Sequence, residues 1–198
     1  LKPALFKNSN PQEDYFIVSK KHPIFVVADG VSLKFDEDSS YPKNSGASAV
    51  ARIFCEIAVS QAEKRYDNFK EEDLAEIFDA ANKAVREYNI SLGLTVSTIN
   101  YWDADLFSTT TSFVLIKDNK AYWWSLCDSG VALFNRKGKK LFFSPPGWDI
   151  FEKNLPGNWD GLTKKEKAVM QHHIYRNTQR NGERVGYGVA DGEEAAKL

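Results

Sequence analysis

The stretch Pro23-Ile24-Phe25-Val26-Val27-Ala28-Asp29-Gly30 decides the fold of this chain. Its apolar run is short, rich in β-branched residues and bounded by Pro23 and Gly30, which is typical of a strand rather than a helix. We expect both faces of this strand to be buried, because its apolar run is unbroken. The run ends in the carboxylate of Asp29 at the rim of the core, where ligands usually bind. Gly30 then lets the backbone turn and approach a ligand closely.

The pair Asp29-Gly30 also fits a plainer interpretation, a turn that only closes the strand, since Asp-Gly is a common turn dipeptide. The preceding sequence favours a site. Residues 15–18 predict a second strand that pairs with the first as a hairpin. An antiparallel hairpin brings the beginning of one strand to the end of the other, so Glu13 and Asp14 should lie near Asp29.

Composition excludes several classes of function. The chain has 198 residues, enough for a single domain with a substantial core over residues 1–198. Its net charge of −1 gives no electrostatic reason to bind nucleic acid or an anionic membrane. No apolar stretch approaches the roughly 20 residues of a membrane helix. Cys55 and Cys127, which fall in a predicted helix and a predicted strand and lack CxxC spacing, predict reduced core thiols and a cytoplasmic protein.

Two amphipathic helices and an antiparallel meander follow. The first helix repeats apolar residues at three- and four-residue steps over 47–58, and the second should begin near Asn68 with Glu71 as its capping-box partner. We expect further strands over 106–116, 121–128, 130–135 and 141–143, with a tight turn at Asp118-Asn119. This order predicts an α+β fold, a layered α-β-β-α sandwich of antiparallel sheets flanked by helices.

Residues 145–185 predict an irregular excursion that contains one short helix. Thr163 and Glu166 form a capping-box pattern at its start. His172 and His173 follow on this helix, where adjacent side chains point about 100° apart. We therefore expect these histidines to face solvent or a partner rather than share a metal.

Four acidic residues fall at strand ends or breaks in this arrangement: Glu13, Asp14, Asp29 and Asp128. Carboxylates that converge on one spot repel one another unless cations neutralise them. Hard oxygen ligands without paired histidine or cysteine select magnesium or manganese over zinc. The sequence therefore predicts a Mn²⁺ or Mg²⁺ site.

Short motifs around these acids occur in a fixed order: Gln12-Glu13-Asp14, Val27-Ala28-Asp29-Gly30, Ser108-Thr109-Thr110 and Cys127-Asp128-Ser129. They resemble the motifs of the metal-dependent serine/threonine protein phosphatases, the protein phosphatase 2C-like family. There the motifs read approximately Asn-Gln/Glu-Asp, Asp-Gly-His/Met-Gly, Gly-Thr-Thr and Gly-Asp-Ser-Arg. The resemblance covers most of residues 10–134, and residues 187–193 resemble a later family segment.

The resemblance implies specific roles. Asp29 would bridge two metal ions, Mn²⁺ or Mg²⁺, with the Gly30 carbonyl on one of them. Glu13 would reach the second ion mostly through water, and Asp14 would assist. Asp128 would order the attacking water or help to bind a further ion. The implied reaction is hydrolysis of phosphoserine or phosphothreonine in a phosphoprotein, without a covalent intermediate, and 145–185 would be the family's variable flap.

Some positions depart from the family pattern. Ser9 replaces a phosphate-binding arginine, for which Lys7 is only a less directional substitute. Val31-Ser32 replaces the family's His or Met and Gly, and Gly130 replaces the arginine after Asp-Ser. The family's later Ser-Asp-Gly and Asp-Asn motifs do not occur before Leu198, so we expect a longer natural chain that completes the site.

These departures motivate an alternative hypothesis, a catalytically inactive phosphatase-like domain that binds or regulates a protein partner. Trp148 and Trp159 are its candidate interface residues. A third class, an amidohydrolase with an N-terminal threonine nucleophile, fits less well. Residues 108–110 are better interpreted as strand residues of high β-propensity, because no histidine partner accompanies them.

Overall fold

The structure of the protein is a computed structural model, which describes residues 12–31, 46–98, 106–144, 157–163, 166–167, 170, 179–180, 183–184 and 189–192. The two helices are α1 (Gly46–Arg65) and α2 (Asp73–Ser91). The strands are β1 (Asp14–Val18), β2 (Ile24–Gly30), β3 (Thr109–Lys117), β4 (Lys120–Leu126), β5 (Ala132–Phe134), β6 (Lys140–Phe143), β7 (Gln179–Arg180) and β8 (Glu183–Arg184).

The central element is a four-stranded antiparallel sheet in the order β1-β2-β3-β4. β1 and β2 form the predicted hairpin, and the chain crosses from β2 to β3 through both helices. Asp118 and Asn119 join β3 to β4 with φ angles of 51° and 59°. Two positive φ angles in a two-residue hairpin loop are the pattern of a type I′ turn, which confirms the tight turn predicted there.

The core lies between the two helices and one face of this sheet. Trp124 of β4 stacks on Phe113 of β3, with ring centroids 4.1 Å apart. Phe54 of α1 and Phe78 of α2 meet the same indole edge-on, at 6.4 and 5.7 Å. Since a fully buried aromatic or aliphatic side chain contributes about 1.5–3 kcal/mol, this cluster fixes the helix layer on the sheet. The α+β class of helices on antiparallel sheets is confirmed.

The predicted burial of β2 on both faces is wrong. Its residues alternate between buried and exposed, and Phe25 and Val27 are 39% and 46% exposed. Successive side chains of a strand point to opposite faces, and α1 and α2 cover the face of Val26. The other face meets the β5–β6 hairpin at β4, where the rings of Trp123 and Phe142 lie 5.1 Å apart.

The start of α2 also differs from the prediction. Residues Tyr66–Asn68 form one 3₁₀ turn, and α2 begins only at Asp73. Glu71 does not form the predicted capping box, because α2 begins later than predicted and its N-cap residue is Glu72. The Glu72 side chain makes no capping hydrogen bond. The carboxylate of Asp73 instead accepts a hydrogen bond from the Lys70 amide at 2.7 Å. A side chain that pairs locally with the backbone thus replaces the predicted cap.

The capping box at Thr163 is confirmed. The Thr163 amide donates to Glu166 Oε2 at 2.8 Å, and the Glu166 amide donates to Thr163 Oγ1 at 3.2 Å. Trp159 lies just before it in a 3₁₀ turn, Trp159–Gly161. Trp148, His172 and His173 and most of the predicted excursion over 145–185 lie outside the described residues.

Residues 189–192 return to the core, which the sequence did not predict. Ala190 is fully buried and exchanges two backbone hydrogen bonds with Thr109 at the start of β3. Asn89 of α2 donates to the Asp191 carbonyl at 3.1 Å, and Asn82 accepts from the Gly192 amide at 2.9 Å. This segment therefore fastens the start of β3 to α2. Within the described ranges, none of the helices has the length and apolarity needed to cross a membrane.

Candidate functional site

The β1–β2 hairpin places two of the predicted site residues side by side. Asp14 and Asp29 are directly opposed across the two strands. Both are exposed, on the sheet face away from the helices. Like charges directly opposite each other destabilise a sheet. A pair kept in this position therefore indicates a role other than stability.

Glu13 precedes this pair and is buried. Its backbone carbonyl accepts a hydrogen bond from the Gly30 amide at 3.2 Å. Gly30 remains within β2, opposite Thr109, so the turn predicted at Gly30 is wrong. A Cβ atom at this position would lie 2.6 Å from the Ala47 carbonyl oxygen. The glycine is needed because the end of β2 packs directly on the first turn of α1.

Asp128 lies in a tight turn rather than in the predicted strand, since β4 ends at Leu126. The Ser129 amide donates to the Leu126 carbonyl at 3.3 Å and closes the turn. Cys127 takes its first central position with φ 58°. A positive φ at this position is the pattern of a type II′ turn, which favours glycine. This explains why the family pattern has glycine where this chain has Cys127.

Three of the four predicted acids raise the pKa of the fourth, Asp29. The pKa of Asp29 is raised from its ordinary 3.8 to about 6, first by partial desolvation of the carboxyl group, although the residue is exposed, and then by a hydrogen bond with Asp14. The negative charges of Asp14, Asp128 and Glu13 raise the pKa of Asp29 further. The hairpin and the β4–β5 turn therefore bring the acids close enough to interact electrostatically.

A cavity of about 750 Å³ opens beside this pair, a size suited to a small ligand or to a phosphorylated side chain. Its polar lining comes from Gln12, Asp14, Asp29 and Ser129, and its apolar wall includes Phe16 and Val27. No lysine or arginine is among its described lining residues. The cavity is therefore acidic, and an anionic ligand would need cations to enter it.

The three threonines at the start of β3 do more than favour a strand. The Thr109 hydroxyl donates to the Asp29 carbonyl at 2.8 Å, and the Thr111 hydroxyl donates to the Val27 carbonyl at 2.9 Å. The Thr110 hydroxyl instead pairs with the Ser129 hydroxyl at 2.9 Å. Three consecutive threonines in a buried strand were the sequence feature that could have predicted these hydrogen bonds. High β-propensity alone does not explain three hydroxyl groups at buried positions.

The donor set suits a hard divalent cation. The side chains offered are carboxylates, with backbone carbonyls nearby, as Mg²⁺ and Mn²⁺ prefer. The hydrogen bond with Asp14 helps to raise the pKa of Asp29, and a cation can take the place of the proton that Asp29 binds. Among the residues that the structure describes, no three histidine, cysteine or acidic side chains form a preassembled cluster. The chain thus presents an acidic pair with further acids at its edge.

A helix layer on an antiparallel sheet, with two opposed acids at one end of the β1–β2 hairpin, defines an α+β domain with a carboxylate-lined cavity. Comparison with models of known families matches residues 4–147 to protein phosphatase 2C. The chain therefore belongs to the protein phosphatase 2C family, a family of metal-dependent protein phosphatases and thus of hydrolases. A comparison with curated proteins finds no match.

Proposed function

We propose that this chain belongs to an enzyme that hydrolyses phosphoserine and phosphothreonine in proteins with the help of two Mn²⁺ or Mg²⁺ ions. The observation that carries the proposal is the directly opposed Asp14–Asp29 pair at the wall of an acidic cavity. The charges of Asp128 and Glu13 reach the same carboxyl group. Family membership supports the class of reaction, and the opposed pair at the cavity supports the choice of residues.

Each acid has a proposed role. Asp29 and Asp14 would hold the ions from the hairpin, Glu13 would support the second ion through water, and the Gly30 carbonyl would complete one coordination shell. When bound, such ions provide Lewis acidity and lower the pKa of water so that it attacks phosphorus at neutral pH. The negative charge of Asp128, in the turn after β4, raises the pKa of Asp29. Asp128 would orient the attacking water or help to hold a further ion.

The Asp14–Asp29 pair would also control the charge of the site. Partial burial and the neighbouring charges raise the pKa of Asp29, so this residue holds a proton more tightly than an ordinary carboxyl group does. Asp29 would have to give up this proton to act as a metal ligand. We expect cation binding to weaken as the pH falls through about 6, where the proton competes for Asp29.

The substrate we propose is a phosphoprotein. The cavity wall has no described cation, so bound metal ions would have to balance the phosphate charge. We further propose that residues 1–198 belong to one phosphatase-like domain of a cytoplasmic enzyme, with 145–185 as a flap beside the cleft.

The test is phosphate release by the natural full-length protein. We expect Mn²⁺-dependent hydrolysis of p-nitrophenyl phosphate and of a phosphoserine peptide, and a loss of at least 100-fold in Asp29→Asn, by analogy with other changes that remove a stabilising group at a reacting centre. Asp118→Asn is the matched control, because it makes the same change in the β3–β4 turn, where asparagine tolerates the positive φ. Full activity of Asp29→Asn, or of the wild type in excess chelator, would refute the proposal.

The inactive partner-binding domain gains no support from the site. Trp159, one of its candidate interface residues, already carries the Lys167 ammonium 5.9 Å from its ring centroid. An inactive full-length protein that binds no Mn²⁺ but retains a protein partner would favour that alternative.

A further inference from the structure

Two sets of hydrogen bonds connect the turn that carries Asp128, and the residues just after it, to neighbouring parts of the molecule. On one side, the Ser129 hydroxyl pairs with the Thr110 hydroxyl at 2.9 Å. On the other side, Val131 and Ser144 are joined by two hydrogen bonds. The Val131 amide donates to Ser144 Oγ at 2.9 Å, and the Ser144 amide donates to the Val131 carbonyl at 2.8 Å.

The first of these attachments points directly at the candidate site. Thr110 is the cross-strand partner of Asp29, so both side chains project from the same face of the sheet. Ser129 lines the same cavity as Asp29. The hydroxyl pair therefore joins the strand beside Asp29 to the residue that immediately follows Asp128.

The backbone geometry of the turn itself is described by one hydrogen bond and one unusual φ angle. Its closing hydrogen bond, from the Ser129 amide to the Leu126 carbonyl, is long at 3.3 Å. The positive φ of Cys127 is unfavourable for a residue with a Cβ atom. The Thr110–Ser129 hydroxyl pair therefore adds a contact between this turn and the strand beside Asp29.

We propose that the Thr110–Ser129 hydroxyl pair positions Asp128 for its part in the reaction. The inference rests on the proposed function, because it assigns Thr110 and Ser129 as positioning residues for an acid of that site. Neither hydroxyl needs to touch the phosphate or a metal ion in this role. Each acts by restricting where the carboxylate of Asp128 can lie.

The first test does not depend on activity. Hydrogen exchange at the amides of residues 127–130 in the metal-free protein should become about 3- to 10-fold faster in Ser129→Ala and in Thr110→Val, the range that one neutral hydrogen bond is worth. Thr110→Ser keeps a hydroxyl and should retain the slow exchange. Thr111→Val is the matched control, because it removes a similar hydroxyl from the same strand, one bonded to Val27 and not to the turn.

The second test uses the full-length enzyme and asks whether the pair acts through Asp128. We expect Ser129→Ala and Thr110→Val each to lower kcat and the calorimetric affinity for Mn²⁺ by about tenfold, as changes in groups that orient metal ligands do. Because the two hydroxyls form one contact, the double variant should be no worse than either single variant. In an Asp128→Asn background, Ser129→Ala should change kcat by less than about twofold.

The outcomes separate the two proposals. Unchanged exchange at the turn, additive losses in the double variant, or an undiminished effect of Ser129→Ala in the Asp128→Asn background would overturn the positioning role while leaving the phosphatase intact. A wild-type protein that neither binds Mn²⁺ nor releases phosphate would overturn the proposed function and this inference with it.

Discussion

Asp29 is less stable as a carboxylate in the folded protein than it is in the unfolded chain. Its folded pKa of about 6 lies above the ordinary value of 3.8 because burial and three neighbouring acids disfavour the charge. The folded state therefore binds the proton more tightly than the unfolded state. The stability that this proton contributes is fully present below pH 3.8 and is lost as the pH rises through about 6.

This imbalance predicts a stabilised variant. In the absence of metal, Asp29→Asn should unfold at a higher temperature than the wild type at pH 7.5, because the uncharged amide escapes the neighbouring charges. The difference should shrink towards pH 4, where Asp29 is protonated in the wild type. Thermal unfolding in chelator at both pH values is the measurement. A variant that is less stable than the wild type at pH 7.5 would contradict the assigned electrostatics.

The backbone at Cys127 gives a second prediction at this scale. Because φ is 58°, Cys127→Gly should be more stable than Cys127→Ala by about 1 kcal/mol, since a Cβ atom costs about 1–2 kcal/mol in the left-handed region. Cys55 in α1 is the control, where the order should reverse and glycine should be less stable than alanine by about 1 kcal/mol. Denaturant unfolding measures the difference in stability between the glycine and alanine variants at each position. If alanine were the more stable variant at both positions, the positive φ assigned to Cys127 would be ruled out.

Cys55 also differs from an ordinary thiol. Burial, with a smaller effect of the Glu56 charge, raises its pKa to about 12. We expect iodoacetamide to modify Cys55 in a Cys127→Ala background at pH 8 no faster than the protein opens, because the thiolate is the reactive species. Rapid modification under native conditions would show that this part of α1 is not packed as described.

At the scale of elements, the contact between the end of β2 and the first turn of α1 positions the hairpin acids. Gly30→Ala should destabilise the protein by about 1–3 kcal/mol, since the added methyl group meets the Ala47 carbonyl oxygen at 2.6 Å and the chain must shift. Gly157→Ala is the control, because no described residue lies within 4 Å of the added atom, and we expect a change within about 0.5 kcal/mol. Equal stability of the two variants in urea unfolding would contradict this packing.

The same scale shows what sequence patterns can and cannot predict. The β1–β2 hairpin and the meeting of Asp14 with Asp29 followed from strand direction alone. The start of α2 could not be predicted in this way. The Glu71 pattern indicated a capping box, but the hydrogen bond that forms there joins the Lys70 amide to the Asp73 carboxylate. The apolar run of β2 predicted two buried faces, yet hydrophobicity by itself does not say which neighbouring element covers each face.

At the scale of the whole molecule, motif order was more informative than any single motif. Four weak motifs, from Gln12 to Ser129, identified the family that the comparison over residues 4–147 shows. The contact between residues 189–192 and β3 could not be predicted, because it joins segments about 80 residues apart through backbone hydrogen bonds that carry no sequence signature. The bond between Thr110 and Ser129 escaped prediction because it depends on strand register.

The central claim is that the acids around Asp29 form a site for divalent cations, and titration of the metal-free, full-length protein with Mn²⁺ in a calorimeter tests it most directly. We predict a saturable heat of binding in the wild type and in Asp118→Asn that is lost or weakened at least tenfold in Asp29→Asn. Equal Mn²⁺ binding by Asp29→Asn and the wild type, or no binding by the wild type, would contradict the claim.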